Sequence, residues 1–228
     1  MKKVFLVLFV LISSTVISQN TNTDSVKVKL PKPSLKGSMS VEEALSVRRS
    51  IRVYKDTSLT LKEVSQILWA AYGITDTIRR NGIGLHTAPS AMALYPLSIY
   101  IVAGNILDLP SGIYRYHPKG HYLSLIKSGD YRTDLYEASN NQYMIKSAPF
   151  NIVYSADTSL VNNRYGKNTG IIMASMDLGH SAENVYLQAT ALDLGTCAVG
   201  GLKPEKVAAI FNMTENEKAV YIMPVGRY

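Results

Sequence analysis

Leu178, Ala182, Val185, Ala189 and Leu192 recur four, three, four and three residues apart. That spacing lines one face of a helix, read here as starting near Ser175 and ending at Gly195. Because such a stripe faces a core, its residues are assigned packing and no chemistry. Two earlier helices carry the same period behind capping boxes. Ser40 with Glu43 precedes Ala44, Leu45 and Val47, and Thr60 with Glu63 precedes Val64, Ile67 and Leu68, the second helix closing at Gly73. A fourth opens at Lys203-Pro204-Glu205-Lys206, with proline in its first turn. Between the helices the pattern changes to apolar, β-branched and aromatic runs of strand length at 97–103, 150–155, 196–199 and 219–225. Residues 112–117 and 121–126 flank Pro118-Lys119-Gly120 as a hairpin. Strands interleaved with helices imply a sheet covered by helices, in the α+β or α/β class.

The ends of the chain read differently. Met1-Lys2-Lys3 followed by an apolar run from Val4 to Ile12 and a small, polar exit reads as a secretory signal peptide over residues 1–19. The run falls short of the roughly 20 residues a spanning helix needs. An exported, periplasmic or extracellular protein is expected, with an uncleaved anchor as the alternative and no stable membrane span after cleavage. Residues 20–36 are polar, carry Pro31 and Pro33 and show no period, so a flexible linker is expected there and a single folded domain over 37–228. Cys197 is the lone cysteine, which rules out an intrachain disulfide; its apolar flanks make it a packed thiol. The net charge falls by two, from +7 to +5, when Lys2 and Lys3 leave, because residues 1–19 hold no acid. The basic residues are scattered, and helix-turn-helix, aromatic-ladder and Cys/His signatures are missing, so no nucleic-acid partner is expected.

The densest candidate chemistry is Arg48-Arg49-Ser50-Ile51-Arg52, three guanidinium groups and a hydroxyl at the end of a helix. Arginine's planar fork matches phosphate oxygens two at a time. A solvated basic helix end is the competing reading. Pro89-Ser90-Ala91 opens a proline-bounded turn of small residues, and Gly200-Gly201 follows a strand and precedes a helix. Both let backbone approach a flat ligand, and both could be plain turns. Ser90 has no glycine elbow and no His/Asp partner in sequence, so a binding hydroxyl fits it better than a nucleophile. His117 and His121 straddle the hairpin without a third ligand, and His180 stands alone on the long helix, so no metal site is expected. The 81–84 segment begins like a dinucleotide fingerprint but lacks its third glycine and reads as a loop.

Taken together, these segments resemble the flavin-dependent nitroreductase family and, more narrowly, its azoline-oxidising SagB/ThcOx-type dehydrogenases. The likeness runs through most of 40–227. It rests on Arg48 to Arg52, Leu68-Trp69-Ala70-Ala71-Tyr72-Gly73, the turn from Pro89 to Pro96, Arg164-Tyr165-Gly166, Asp177-Leu178-Gly179-His180, the run from Gly195 to Gly201, and Met223-Pro224-Val225-Gly226-Arg227. The resemblance implies an α+β, three-layer α-β-α sandwich with a central mixed, mainly antiparallel sheet. It implies FMN, with Arg48, Arg49 and Ser50 on the 5′-phosphate and Arg227 as a further contact. Arg52 would stand near the N1/O2 edge, where a fixed cation favours the reduced flavin. Pro89, Ser90 and Ala91 would line the ring from the neighbouring subunit of a homodimer. Val199, Gly200 and Gly201 would pack on it with an N–H toward N5, and Gln142 would add a polar contact. The expected reaction is hydride transfer between NAD(P)H, or another donor, and a small-molecule acceptor. The cofactor does the chemistry, so no catalytic side chain is named. Met92 departs from the glycine found in many azoline-oxidising relatives and would narrow the ring pocket. The short stretch after Gly226 implies no C-terminal arm wrapping the partner. Alternatives are a dehydrogenase passing electrons to oxygen or a redox partner, a flavin-binding module without turnover, and a basic protein meeting an anionic surface.

Overall fold

The computed structural model describes residues 26–79, 82 and 84–228. The expected signal peptide, the first residues of the expected linker and two residues of the 81–84 segment lie outside them. The strands are β1 (Lys27–Lys29), β2 (Leu59–Thr60), β3 (Ile74–Asp76), β4 (Leu85–His86), β5 (Leu97–Ala103), β6 (Ile106–Leu107), β7 (Gly112–His117), β8 (Tyr122–Ser128), β9 (Phe150–Asp157), β10 (Gly195–Thr196) and β11 (Glu217–Gly226). The helices are α1 (Val41–Val47), α2 (Leu61–Tyr72), α3 (Arg132–Ala138), α4 (Tyr143–Ser147), α5 (Ser159–Tyr165), α6 (Lys167–Ala191) and α7 (Pro204–Phe211).

Seven strands form the main sheet in the order β1-β8-β7-β5-β9-β11-β10, every neighbouring pair antiparallel. Parallel pairing enters at the bridge between Ser50 and Thr196 and in the small β2–β6 sheet. The central strand β5 is apolar at every position but Ser98, because both of its faces are covered. Ile99 and Ile101 of β5 point to a core shared with Ile67 and Leu68 of α2 and Val185 and Ala189 of α6. Tyr100 and Val102 point to a second core with Leu135 of α3, Ile145 of α4 and Val207 and Phe211 of α7. The result is the three-layer α-β-α sandwich with a mainly antiparallel sheet.

Both capping boxes form: Ser40 Oγ accepts the Glu43 N–H and Thr60 Oγ1 accepts the Glu63 N–H, while each glutamate reaches back to the cap N–H. Three expectations need correction. The long helix starts at Lys167, eight residues before Ser175; its first turns show Ile171 and Ile172 to solvent and bury Gly170 and Ala174, so no apolar stripe marks them. The strand expected at 196–199 pairs only through Thr196, and Val199 makes an isolated bridge to Ile222. The described part of the expected linker is docked, not free. β1 pairs with β8, Leu30 is buried, Pro31 O accepts the Ser65 hydroxyl at 2.6 Å, and Gln66 holds Ser34 through both its backbone groups. Three strand residues are too few to show an alternation in sequence. Among the described residues no helix is long and apolar enough to cross a membrane.

Candidate cofactor site

At Arg48 the chain leaves α1 in an extended path and runs beside the end of β10. Ser50 bridges Thr196, Ile51 N donates to Thr196 O at 2.9 Å, and Tyr54 Oη donates to Ile51 O and Pro224 O at 2.8 and 3.1 Å. This close approach explains Gly195: a Cβ there would stand 2.6 Å from the Ile51 Cβ. The segment is therefore fixed while its guanidinium groups stay largely uncommitted. Arg49 and Arg52 are exposed and, among the described residues, donate only to backbone of 46–50. Arg48 stands 3.8 Å from the Glu183 carboxylate, with its guanidinium 5.0 Å from the centre of the Tyr186 ring.

Tyr186, on α6, is the connecting residue that the sequence pattern concealed. Its hydroxyl lies 3.2 Å from Ser50 Oγ and accepts the Ala198 N–H at 2.8 Å. One phenol thus joins the arginine cluster to the loop that follows β10. In that loop Val199 exchanges both backbone bonds with Ile222, Gly200 O accepts the Leu202 N–H, and Gly201 O accepts Gln142 Nε2 at 3.1 Å. The N–H groups of Gly200 and Gly201 donate to no other described residue. Gly200 is exposed, its φ is outside the left-handed region, and a Cβ on it would meet only Tyr221 at 3.6 and 3.9 Å. Nothing within the chain requires glycine there. A bare, outward-facing backbone suits a ligand that must come close.

Of the expected site residues, Arg48, Ser50, Val199, Gly200, Gly201 and Gln142 come together through Tyr186 and the Gln142–Gly201 bond. Arg227 follows β11 beside this segment, its carbonyl accepting the Lys55 N–H, but its guanidinium donates to Glu63 Oε1 at 2.7 Å. Pro89, Ser90 and Ala91 pack against a different part of α6. Ser90 Oγ donates to Asp177 Oδ2 at 2.5 Å and accepts the Tyr95 N–H, Ala91 N donates to Asp177 Oδ1, and His180 Nδ1 meets Pro89 O. Burial raises the Asp177 carboxyl above its ordinary pKa, with Ser90 and Ala91 donating against that shift. Asp177 and Tyr186 are nine residues apart, about 13 Å along a helix. The Ser90 hydroxyl is thus occupied within its own chain, and one chain does not set this turn against the arginine cluster. A groove of about 810 Å³ lies between the 34–41 segment, α2 and α6, lined in part by Trp69, Gln66 and Asn184; none of residues 48–52 lines it.

The fold and this site define the class. The nitroreductase family profile matches residues 45–227. A nitroreductase-named protein of Methanocaldococcus jannaschii is 36% identical over 204 residues, covering 90% of this chain and 98% of its own length. Trifolitoxin operon protein TfxC of Rhizobium leguminosarum bv. trifolii is 25% identical over 194 residues, covering 81% of this chain and 54% of its own. The crystal structure of a nitroreductase-named protein from Ralstonia eutropha JMP134 superposes with a TM-score of 0.76 at 27% identity, covering 88% of this chain and 89% of that one. The chain belongs to the nitroreductase family, whose members are generally FMN oxidoreductases.

Proposed function

We propose that this protein is an exported FMN-dependent oxidoreductase that moves a hydride through flavin N5 between NAD(P)H, or another donor, and a small organic acceptor. The observation that carries the reading is the Tyr186 link, which holds a phosphate-type donor set and a bare glycine backbone on one short stretch of structure. Arginines 48 and 49 with Ser50 fit a phosphomonoester by charge and donor number. The outward Gly200 and Gly201 N–H groups fit the polar edge of a planar ring. FMN supplies the two-electron chemistry when bound; the chain binds, orients and shields.

Arg48, Arg49 and Ser50 take the phosphate in this assignment, with Arg227 joining them when it leaves Glu63. Arg52 sets a positive charge near the ring edge where electron density gathers. Val199, Gly200, Gly201 and Gln142 form one wall. Pro89, Ser90 and Ala91 supply a second wall from the partner subunit of a homodimer, and their distance from Arg48 within one chain supports that arrangement. So do Ile172 and Met176, one turn apart on α6 and both about half exposed. The apolar run from Val4 to Ile12 supports export, which makes the electron donor a separate question from the fold.

A second reading, a SagB/ThcOx-type dehydrogenase that oxidises its substrate and passes electrons to oxygen or a redox partner, is favoured by the likeness to a trifolitoxin operon protein. The deciding experiment takes residues 20–228, incubates them with FMN, desalts, records the absorbance spectrum and then adds NADH or NADPH without oxygen. Retained flavin bands that bleach support the first reading. Retained bands that stay favour the dehydrogenase or a binding role, and their absence removes the flavin assignment.

A further inference from the structure

We propose that Tyr186 is a positioning residue that turns the Ser50 hydroxyl into a pre-aimed donor for a ligand's phosphate. The inference rests on the flavin reading above. A backbone N–H can only donate, so the Ala198–Tyr186 contact makes the phenol oxygen an acceptor at 2.8 Å. The 3.2 Å contact to Ser50 Oγ is open to either direction. A phenol has a single proton. Among the described residues Ser50 is the acceptor within reach of it, and a phenol oxygen that already accepts the Ala198 N–H is a poor acceptor for a second donor, so the favoured direction is Ala198 N–H to Tyr186, then Tyr186 O–H to Ser50. The Ser50 proton is then left for an acceptor outside the chain, and phosphate oxygens are acceptors. Each donor in such a series polarises the next.

The members of the series are held from three sides. Ser50 is fixed by its bridge to Thr196, and Ala198 lies just beyond β10. Tyr186 follows Val185, which is fully buried on the core face of α6, and its ring lies against the Arg48 guanidinium. Ordering the hydroxyl before the ligand arrives lowers the cost of binding it.

FMN and riboflavin differ only in the phosphate and separate this role from general support of the fold. Dissociation constants for both are measured on the full chain with Ser50→Ala, Tyr186→Phe and the double variant. The expected result is that each single variant weakens FMN about tenfold, the loss of one hydrogen bond to a charged group, while riboflavin changes less than twofold. The double variant should be no weaker than Ser50→Ala, because Tyr186 acts through Ser50. Equal losses for both ligands, or losses that add in the double variant, overturn the proposal. If Tyr186→Phe does not fold, site-specific 3-fluorotyrosine at 186 decides the matter. It keeps the shape with a stronger donor, so the preference for FMN must rise, and an unchanged preference overturns the inference. Wild-type protein that binds neither ligand removes the flavin reading and this one with it. Wild-type that prefers FMN, with Tyr186→Phe indifferent, removes this one alone.

Discussion

Ser90 donates its hydroxyl to Asp177 at 2.5 Å, fastening the turn that opens at Pro89 to the middle of α6. The turn needs fastening, because Met92, Ala93 and Tyr95 all lie at positive φ, near 50°, where side chains carry a steric cost. Asp177 is buried, so removing one partner leaves the other unsatisfied. Ser90→Ala and Asp177→Ala should each lower the unfolding free energy by about 1–3 kcal/mol. A double-mutant cycle in urea should show the two losses failing to add, and full additivity would mean that the contact contributes little.

Gly195 and Gly200 are glycines for different reasons, and alanine separates them. At 195 a methyl group runs into Ile51, so Gly195→Ala should unfold the 48–52 segment or the whole domain. At 200 it meets only Tyr221 at ordinary contact distance, so Gly200→Ala should keep the melting temperature within a few degrees. It should also weaken FMN at least tenfold by filling the space the ring needs. A Gly200→Ala protein that binds FMN normally would exclude this loop from the ring.

These contrasts show how far the sequence could be read. The capping boxes were legible because each links residues three apart, and the β5 run was legible because burial on both faces leaves Ser98 as its one polar residue. The arginine cluster and the glycine pair could be named singly for the same local reason. Their connection could not, since the Tyr186 contacts span 136 residues to Ser50 and 12 to Ala198. The use of Ser90 by Asp177 spans 87, which is why its hydroxyl read as free for a ligand. Short helices such as α3 and α4 offered too few turns to establish a period.

Glu63 holds Arg227 with one carboxylate oxygen and the Thr60 N–H and hydroxyl with the other. If Arg227 belongs to the phosphate site, Glu63 competes for it. Glu63→Gln should then tighten FMN about threefold and Arg227→Ala weaken it. Titration calorimetry on both variants checks this; affinity untouched by either removes Arg227 from the site.

Glu217 lies in a polar knot at the far end of the sheet. Tyr100 Oη donates at 2.9 and 3.1 Å, Ser155 Oγ at 3.0 Å and Thr214 Oγ1 at 3.1 Å. Burial alone would raise its pKa, but donors including Ser98, Tyr100, Thr214 and Ser155 outweigh it and bring the carboxyl below its ordinary 4.5. A lowered folded-state pKa adds stability above the unfolded value and loses it as pH falls through the folded one. Melting temperature should therefore drop more steeply below pH 4.5 in the wild type than in Glu217→Gln; parallel curves would show that another group sets the acid limit.

Ile172 and Met176 give the dimer a direct test. Met176→Glu places a charge on an apolar face of α6, and analytical ultracentrifugation should find the variant monomeric where the wild type is paired. Two monomeric proteins would place the shared-site arrangement in error.

If the chain is exported as proposed, β1 carries a further consequence. Residues 27–29 cover β8, which would otherwise end the sheet with a row of open backbone donors and acceptors. Such an edge recruits other chains into aggregates. Processing near residue 19 leaves the covering strand in place, whereas trimming to Gly37 removes it along with the Pro31 and Ser34 anchors on α2. The segment that looked like a tether is a selvage, and in an exported chain processed near residue 19, proteolysis would have only a few residues to remove before the fabric started to catch on its neighbours.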